Sequence, residues 1–331
     1  MVYFANSSDR MVPDALAGFA RVHADLVLHD ESGGFLQARH PAPTRRVGIV
    51  SGGGSGHEPL HLGFIGAGML DAVCPGRLMA SPHNRQVLGA SRAVARAEGV
   101  LHLVKNYTGD RINFGIAAAR LAREGVDCAR VLIDDDLASE SDESAAGRRG
   151  TGATVLVEKV LGAAADTGLG LRELAELGTE LVGRCRSLAV ASAAHTSPAT
   201  GRPAFELAEG ELEYGVGIHG ERASRTVPGA PLGELVAGMT EALLASLGPA
   251  PGESVIALVN GLGGVTRLEL YGVARELALR LDRHGLVPER MLVGDFVTAL
   301  DMRGFTLTLM RADPETVKWF DAPAHTPAWP R

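Results

Sequence analysis

The sequence has 331 residues, with 32 Lys and Arg against 39 Asp and Glu, which gives a formal net charge of −7. Such a length predicts about two domains, and 46% hydrophobic with 21% charged residues is typical of a soluble globular protein. The acidic balance argues against a nucleic-acid partner. No apolar stretch approaches the roughly 18 residues of a membrane span. The N-terminal segment lacks the pattern of a signal peptide, and three widely spaced cysteines favour a reducing cytoplasm.

Short apolar runs followed by polar or glycine-rich loops recur through the first half of the chain. The runs at 47–50, 100–104 and 131–133 predict buried parallel strands, whose loops gather at the carboxyl edge where such sheets bind ligands. After an acidic and arginine-bearing loop at 138–152, apolar spacing predicts two helices, one around 156–161 and one around 174–181. We therefore expect an N-terminal α/β domain of residues 1–183.

The second half has a different pattern. It predicts a strand at 187–194, a helix at 232–247 and a strand at 255–259. Apolar and polar residues alternate from 305 to 310, which predicts a half-buried strand, and the proline-rich end at 322–331 predicts an extended tail. The expected fold class is α/β, with two α/β domains on mixed or parallel sheets and a ligand site at strand-end loops near the domain junction. The second domain, 184–331, carries His219.

The most informative local signal is the segment Gly52–Pro59, with the sequence GGGSGHEP. Its glycines leave backbone N–H groups uncovered, and a helix beginning near Pro59 would direct its positive end at a bound ligand. The alternative is a tight turn between a strand and a helix that binds nothing. The segment does not match the phosphate-binding P-loop, the dinucleotide fingerprint or the nucleophile elbow.

Residues His57–His61 match the HExxH pattern of zinc proteases. That pattern binds zinc because the two histidines lie one turn apart on a continuous helix. Here Pro59 stands inside the motif and glycines precede it, so we expect His57 to lie before any helix. The sequence therefore predicts no metal site.

Three further segments carry polar chemistry and leave alternatives open. Asp110, after the strand that ends near Lys105, can act as a general base or cap the following helix. The triplet Asp134–Asp136 suggests a magnesium or calcium site, but consecutive carboxylates point in different directions, so solvated acids at a strand end are the expectation. His219, between Gly217 and Gly220, is either structural or an accessible nucleophile.

Together these segments resemble a known family, the ketone-binding (K) subunits of dihydroxyacetone kinase. The resemblance runs from about residue 13 to 329 and rests on seven blocks in order. They are Ser51–Pro59 (SGGGSGHEP), Lys105–Asp110 (KNYTGD), Ile133–Asp136 (IDDD), Ala146–Gly150 (AGRRG), Gly215–Glu221 (GVGIHGE), Asn260–Gly264 (NGLGG) and Leu300–Phe305 (LDMRGF).

The resemblance implies a kinase that phosphorylates dihydroxyacetone. A ring nitrogen of His219 would attach to the ketone carbon as a hemiaminal, which excludes glycerol because glycerol has no carbonyl. Asp110 would take the proton of the terminal hydroxyl, and His57 would bind the substrate and assist that transfer. The implied substrate-binding positions also include Gly54, Ser55, Gly56 and Lys105.

The resemblance also implies partners. No nucleotide site is expected on this chain, so ADP or ATP with Mg²⁺ would bind a separate kinase subunit, recharged by the phosphoenolpyruvate phosphotransferase system or by ATP exchange. A homodimer in the cytoplasm, without membrane or nucleic-acid partners, is the expected state. Where the family often has Ser-Pro-Thr-Pro-Asp, this chain has Ser81-Pro82-His83-Asn84-Arg85. Ser81 remains a candidate phosphate or loop contact, and the change keeps erythrulose open as an alternative substrate. A non-catalytic ketone-binding regulator is a second alternative.

Overall fold

The computed structural model describes residues 3–140, 147–223 and 225–330. Its strands are, in chain order, β1 (Val27–Asp30), β2 (Phe35–Ala38), β3 (Gly48–Ser55), β4 (Ala72–Leu78), β5 (Val100–Lys105), β6 (Cys128–Ile133), β7 (Cys185–Ala193), β8 (Glu211–Tyr214), β9 (Arg225–Pro228), β10 (Ser254–Gly261), β11 (Val287–Gly294) and β12 (Arg303–Ala312). Its α-helices are α1 (Ser8–Val22), α2 (Asn84–Val94), α3 (Thr108–Arg123), α4 (Ala153–Asp166), α5 (Leu171–Gly183), α6 (Leu232–Leu247), α7 (Arg267–Arg283) and α8 (Pro314–Asp321). The predicted α/β fold class is confirmed.

The first sheet has the strand order β1-β2-β4-β3-β5-β6. Strands β4, β3, β5 and β6 are parallel to one another, while β1 and β2 form an antiparallel edge. Helices α2 and α3 pack on β3 and β5 through a core that includes Val50, Val87, Val104 and Phe114. The parallel strands predicted at 47–50, 100–104 and 131–133 are therefore present, and β4 is an additional one.

The second sheet has the order β11-β10-β12-β7-β8-β9 and is mostly antiparallel, with β10 and β11 as its parallel pair. Helices α6 and α7 pack on it through an apolar core that includes Val236 on α6 and Leu307 on β12. The helix predicted at 232–247 is α6, and the strands predicted at 187–194 and 255–259 correspond to β7 and β10.

The prediction of a half-buried strand at 305–310 is wrong in one respect. Strand β12 forms there, but all of residues 304–310 are buried. The reason is its position between β10 and β7 in the middle of the sheet, where both faces are covered. The threonines that suggested a solvent face are therefore interior residues, and Thr308 Oγ1 lies 2.7 Å from Ser187 Oγ.

The chain divides into two packed units. The first unit contains 3–133, 154–180 and 318–330, and the second unit contains Asp134–Ala153 and Leu181–Val317. The chain passes between these units at several places, whereas the predicted ranges 1–183 and 184–331 have a single boundary. One of these crossings, between residues 180 and 181, lies close to the predicted boundary. The division into domains 1–183 and 184–331 stays a prediction.

The glycine-rich segment differs from its prediction. Residues 51–55 continue the extended strand β3, residues 57–61 form turns, and a single 3-10 turn follows at Leu62–Phe64. The helix predicted to begin near Pro59 is therefore wrong. Glycine is needed within the strand because a Cβ on Gly52 would come within 2.5 Å of the Cys74 carbonyl oxygen on β4.

The predicted tail at 322–331 does not extend into solvent over its described part. His325 N–H donates to the Ala67 carbonyl at 2.9 Å, and Ala328 N–H donates to the Gly63 carbonyl at 2.8 Å. Trp329 packs edge-on against Phe64. Among the described residues, no helix is both long enough and apolar enough to cross a membrane.

The expectation that the acidic triplet is solvated is wrong for Asp135 and Asp136, whereas Asp134 is partly exposed. Asp135 is fully buried and accepts hydrogen bonds from Thr151 N–H at 2.7 Å, Ala153 N–H at 2.9 Å and the Ser187 hydroxyl. Asp136 is also buried and pairs with Arg149. These carboxylates hold backbone and side-chain donors in place, which gives them a structural role.

Asp135→Asn is expected to lower the free energy of unfolding by about 3 kcal/mol, because an amide NH₂ would face buried donors and leave them without an acceptor. Denaturant unfolding at neutral pH measures the change. Asp134→Asn is the matched control, since its ion pair with Arg148 is partly exposed and contributes at most about 1 kcal/mol. Equal losses in the two variants would contradict this account.

Candidate active site

Candidate binding residues meet at one edge of the first sheet. Gly54 and Ser55 close strand β3, and Lys105 closes strand β5. Because β3 and β5 are parallel neighbours, their carboxyl ends lie at the same edge. A small cavity is lined there by Gly53, Gly54, Ser55 and His61. The expected placement of the ligand site at strand ends is consistent with this cavity.

Lys105 is a buried cation at this edge, with 1% of its surface exposed. Its Nζ lies 3.1 Å from His61 Nε2. A Cβ on Gly53 would come within 2.3 Å of that Nζ. Glycine at position 53 therefore leaves the space that the lysine head group occupies.

Asp110 lies in the first turn of α3 and is 2% exposed. The N-cap residue of α3 is Tyr107, and Asp110 follows it by three residues. Burial lowers the pKa of Lys105, and the negative charge of Asp110 opposes that change. His57 is fully buried in the turn after β3. The first unit therefore contains His57, Asp110 and Lys105 together.

Ser81 lies beside the start of α3. A Cβ on Gly109 would come within 2.5 Å of its Oγ, so Gly109 allows the close approach. The residues that follow Ser81 and Pro82 cap the start of α2. His83 is the N-cap of α2, its Nδ1 accepts from Arg85 N–H, and Gln86 accepts from His83 N–H in return.

His219 belongs to the other unit, in the turn between β8 and β9. Its Nδ1 lies 3.1 Å from Glu221 Oε1, and its backbone N–H donates to Glu221 Oε2 at 3.0 Å. Burial raises the pKa of Glu221, but the hydrogen bond and charge of His219, with the charge of Arg149, outweigh burial and lower that pKa to about 2. Glu221 is thus a carboxylate that fixes the orientation of the imidazole.

Two residues that sequence reasoning did not select support this turn. Arg149 donates to Asp136 at 2.7 Å and to the Gly215 carbonyl at 3.0 Å, which ties the arginine block to the histidine block. His195 is buried beside Gly220, where a Cβ would come within 2.8 Å of its ring. The AGRRG block was the available signal for Arg149, although its Ala146 lies outside the described residues.

The HExxH match does not have the geometry of a zinc site. Residues 57–61 form turns, so His57 and His61 are not one turn apart on a helix. His61 instead contacts Ser51, Glu158 and Lys105. Neither His61 in this role nor Glu158 was predicted, since nothing local in the sequence marks a glutamate on a helix as the partner of a distant histidine.

Comparison with known proteins decides the family. The model of the Dak1 domain matches residues 17–328. This chain belongs to the Dak1 domain family. It is 41% identical to an Escherichia coli relative named the dihydroxyacetone-binding subunit DhaK of PEP-dependent dihydroxyacetone kinase, over 98% of this chain and 97% of the relative.

Two solved structures of Dak1 relatives share the fold. The dihydroxyacetone kinase of C. freundii, in complex with AMP-PNP and Mg²⁺, has a TM-score of 0.89 and 33% identity, and the match covers 99% of this chain and 60% of that one. The dihydroxyacetone kinase operon co-activator DhaQ has a TM-score of 0.90 and 31% identity, with 96% of this chain and 97% of that one covered. Because a kinase and a co-activator share this fold, the fold alone does not separate the two roles.

Proposed function

We propose that this Dak1 chain is the substrate-binding subunit of a dihydroxyacetone kinase and takes part in phosphorylating dihydroxyacetone to dihydroxyacetone phosphate. The observation that carries the proposal is the similarity over nearly the whole of both chains to a relative named as a dihydroxyacetone-binding kinase subunit. The geometry supports it, because a buried lysine, a buried carboxylate and a small cavity at the strand ends suit a small polyol more than a large apolar ligand.

In this proposal the first unit binds and activates the hydroxyl end of the ketose. Lys105 donates to substrate oxygen, and Gly54, Ser55 and Gly56 supply backbone contacts. Asp110 takes the proton from the terminal hydroxyl, whose oxygen then attacks phosphorus, and His57 binds the substrate and assists this transfer. Ser81, beside the same helix start, is the proposed loop or phosphate contact.

His219 is the proposed covalent anchor. Because its Nδ1 is held by the Glu221 carboxylate, Nδ1 carries the proton and Nε2 keeps a lone pair. That lone pair forms a bond to the ketone carbon while the carbonyl π bond breaks. The carbonyl oxygen takes up a proton, and the imidazolium gives up its Nδ1 proton, so a neutral hemiaminal results. Glycerol offers no carbonyl for this step.

The phosphoryl donor is proposed to bind a second subunit. ADP or ATP with Mg²⁺ would be held there, consistent with the nucleotide and magnesium in the related C. freundii structure. The E. coli relative is named as PEP-dependent, which favours recharging through the phosphoenolpyruvate phosphotransferase system. A homodimer of this chain in the cytoplasm completes the proposal.

Gly53→Ala is expected to raise KM for dihydroxyacetone by about tenfold or more. The new Cβ would occupy the position of the enclosed Lys105 head group, and overpacking of this kind costs about 1–3 kcal/mol. Steady-state kinetics measure the change. Gly115→Ala, where a Cβ meets nothing within 4 Å, is the matched control. A Gly53→Ala enzyme with unchanged KM would contradict the proposed place of Lys105.

The function itself is tested by reconstitution with a nucleotide-binding kinase subunit. Formation of dihydroxyacetone phosphate is measured with ATP and, separately, with the phosphoenolpyruvate phosphotransferase system. We expect turnover with one of these donors. Tight ketone binding without product under both conditions would instead favour a regulator of the co-activator kind, and faster turnover of erythrulose would reassign the substrate.

A further inference from the structure

Four polar side chains form a buried group behind the proposed substrate site. They are Ser51 on β3, His61 in the following turn, Lys105 at the end of β5, and Glu158 on α4. His61 Nδ1 lies 2.5 Å from Glu158 Oε1 and 3.0 Å from Ser51 Oγ, and His61 Nε2 lies 3.1 Å from Lys105 Nζ. None of these four side chains is more than 4% exposed, so the contacts are shielded from water.

The hydrogen bonds of the Ser51 hydroxyl determine which ring nitrogen of His61 carries the proton. Its hydroxyl donates to the Leu103 carbonyl at 2.9 Å and has no second hydrogen, so it can only accept from His61. Nδ1 of His61 therefore carries the ring proton, and this N–H points at Ser51 and Glu158. Nε2 is left with its lone pair and accepts from Lys105, which must then be the donor.

We propose that Ser51, His61 and Glu158 are positioning residues that hold Lys105 as a charged donor at the ketose site. When Glu158 is ionised, its carboxylate and the ammonium of Lys105 are joined through the imidazole of His61. His61 thereby transmits the effect of a carboxylate that Lys105 does not itself touch. This inference deepens the proposed function and, for its kinetic consequence, rests on it.

The charges around Lys105 show why such support is needed. Burial lowers the pKa of Lys105, while Asp110, Glu158 and Glu58 oppose that change. Burial also raises the pKa of Glu158 to about 8, so its negative charge is complete only above that pH. The pKa of His61 is lowered by burial and, in addition, by the charges of Lys105 and His57. In the pH range above about 8, where Glu158 is ionised, removing its charge therefore lowers the pKa of Lys105, so the lysine loses its proton at a lower pH.

The direct test is the titration of Lys105 by NMR, in protein labelled with ¹³C at the lysine ε carbon. The chain has only three lysines, Lys105, Lys159 and Lys318, so the spectrum is simple, and Lys105→Arg identifies the signal. In Glu158→Gln we expect the Lys105 signal to titrate at lower pH than in the wild type. This readout needs no ketose and therefore stands or falls separately from the proposed function.

The kinetic test uses the reconstituted kinase. Glu158→Gln is expected to raise KM for dihydroxyacetone roughly tenfold while kcat stays within about threefold, and to move the alkaline limb of kcat/KM to lower pH. Lys159→Met is the matched control on the same helix. Lys159 is equally buried but donates to the Trp319 carbonyl, so its loss is expected to lower stability and leave KM unchanged.

Ser51→Ala provides a second variant if Glu158→Gln does not fold. It removes the acceptor that favours the Nδ1–H form and is expected to shift the Lys105 titration in the same direction by a smaller amount. A folded variant in which both the Lys105 titration and KM are unchanged would overturn the inference. A shifted titration in a chain that phosphorylates no ketose would retain the network and overturn the proposed function instead.

Discussion

His219→Ala is expected to lower kcat/KM for dihydroxyacetone by about a thousandfold or more. Without the imidazole no hemiaminal forms, and the ketose loses the bond that fixes its hydroxyl relative to the phosphoryl donor. The effect should appear with either donor, because the anchor acts on the ketose alone. Steady-state kinetics of the reconstituted kinase measure it.

The chemical counterpart of this prediction is the state of the ketone carbon. With dihydroxyacetone labelled with ¹³C at C2, the wild-type chain should move that resonance from the ketone region to that of a tetrahedral carbon. Glu221→Gln is a milder variant for comparison. It keeps a hydrogen-bonding group beside His219 but removes the negative charge that orients the imidazole. Undiminished turnover in His219→Ala would contradict the covalent anchor.

Asp110→Asn is expected to lower kcat by about 10²–10⁴-fold, the range typical of a lost general base. The amide keeps the size of the side chain and cannot take a proton, so dihydroxyacetone binding, measured by calorimetry, should be largely retained. The kcat change and the retained binding together distinguish a proton acceptor from a group that only binds.

A control on the same helix tests whether damage to α3 explains the result. Asn113 lies one turn further on and is held structurally, since its amide donates to the Gly109 carbonyl at 3.1 Å. Asn113→Ala should therefore lower stability and leave kcat nearly unchanged. If Asn113→Ala and Asp110→Asn lowered kcat equally, the base assignment would be contradicted.

The sequence predicts the strands and helices well where local pattern and burial agree. The apolar runs before Lys105 and Asp134 are strands, and the periodic stretch at 232–247 is helix α6. The prediction for the glycine-rich segment is wrong because glycine is rare in strands, so the local sequence does not indicate one there. In this fold it is extended, since Gly52 and Gly53 make room for Cys74 and Lys105 from neighbouring strands.

The candidate site was predictable to the extent that its residues stand in recognisable blocks. His57, Lys105, Asp110 and His219 could be selected in this way, although their roles remain predictions. Glu158 could not, because its partner His61 is 97 residues away in sequence and only the folded chain joins them. The burial of Asp135 has the same cause, since its hydrogen-bond partners come from a later loop and strand.

The most direct measurement of the central claim is a crystal structure of this chain soaked separately with dihydroxyacetone, erythrulose and glycerol. We expect continuous density from the His219 ring to a tetrahedral C2 of the ketose, with the terminal hydroxyl at Asp110 and no such density with glycerol. Relative occupancy would rank the two ketoses. A planar ketone bound away from His219, or a site empty with both ketoses, would contradict the account.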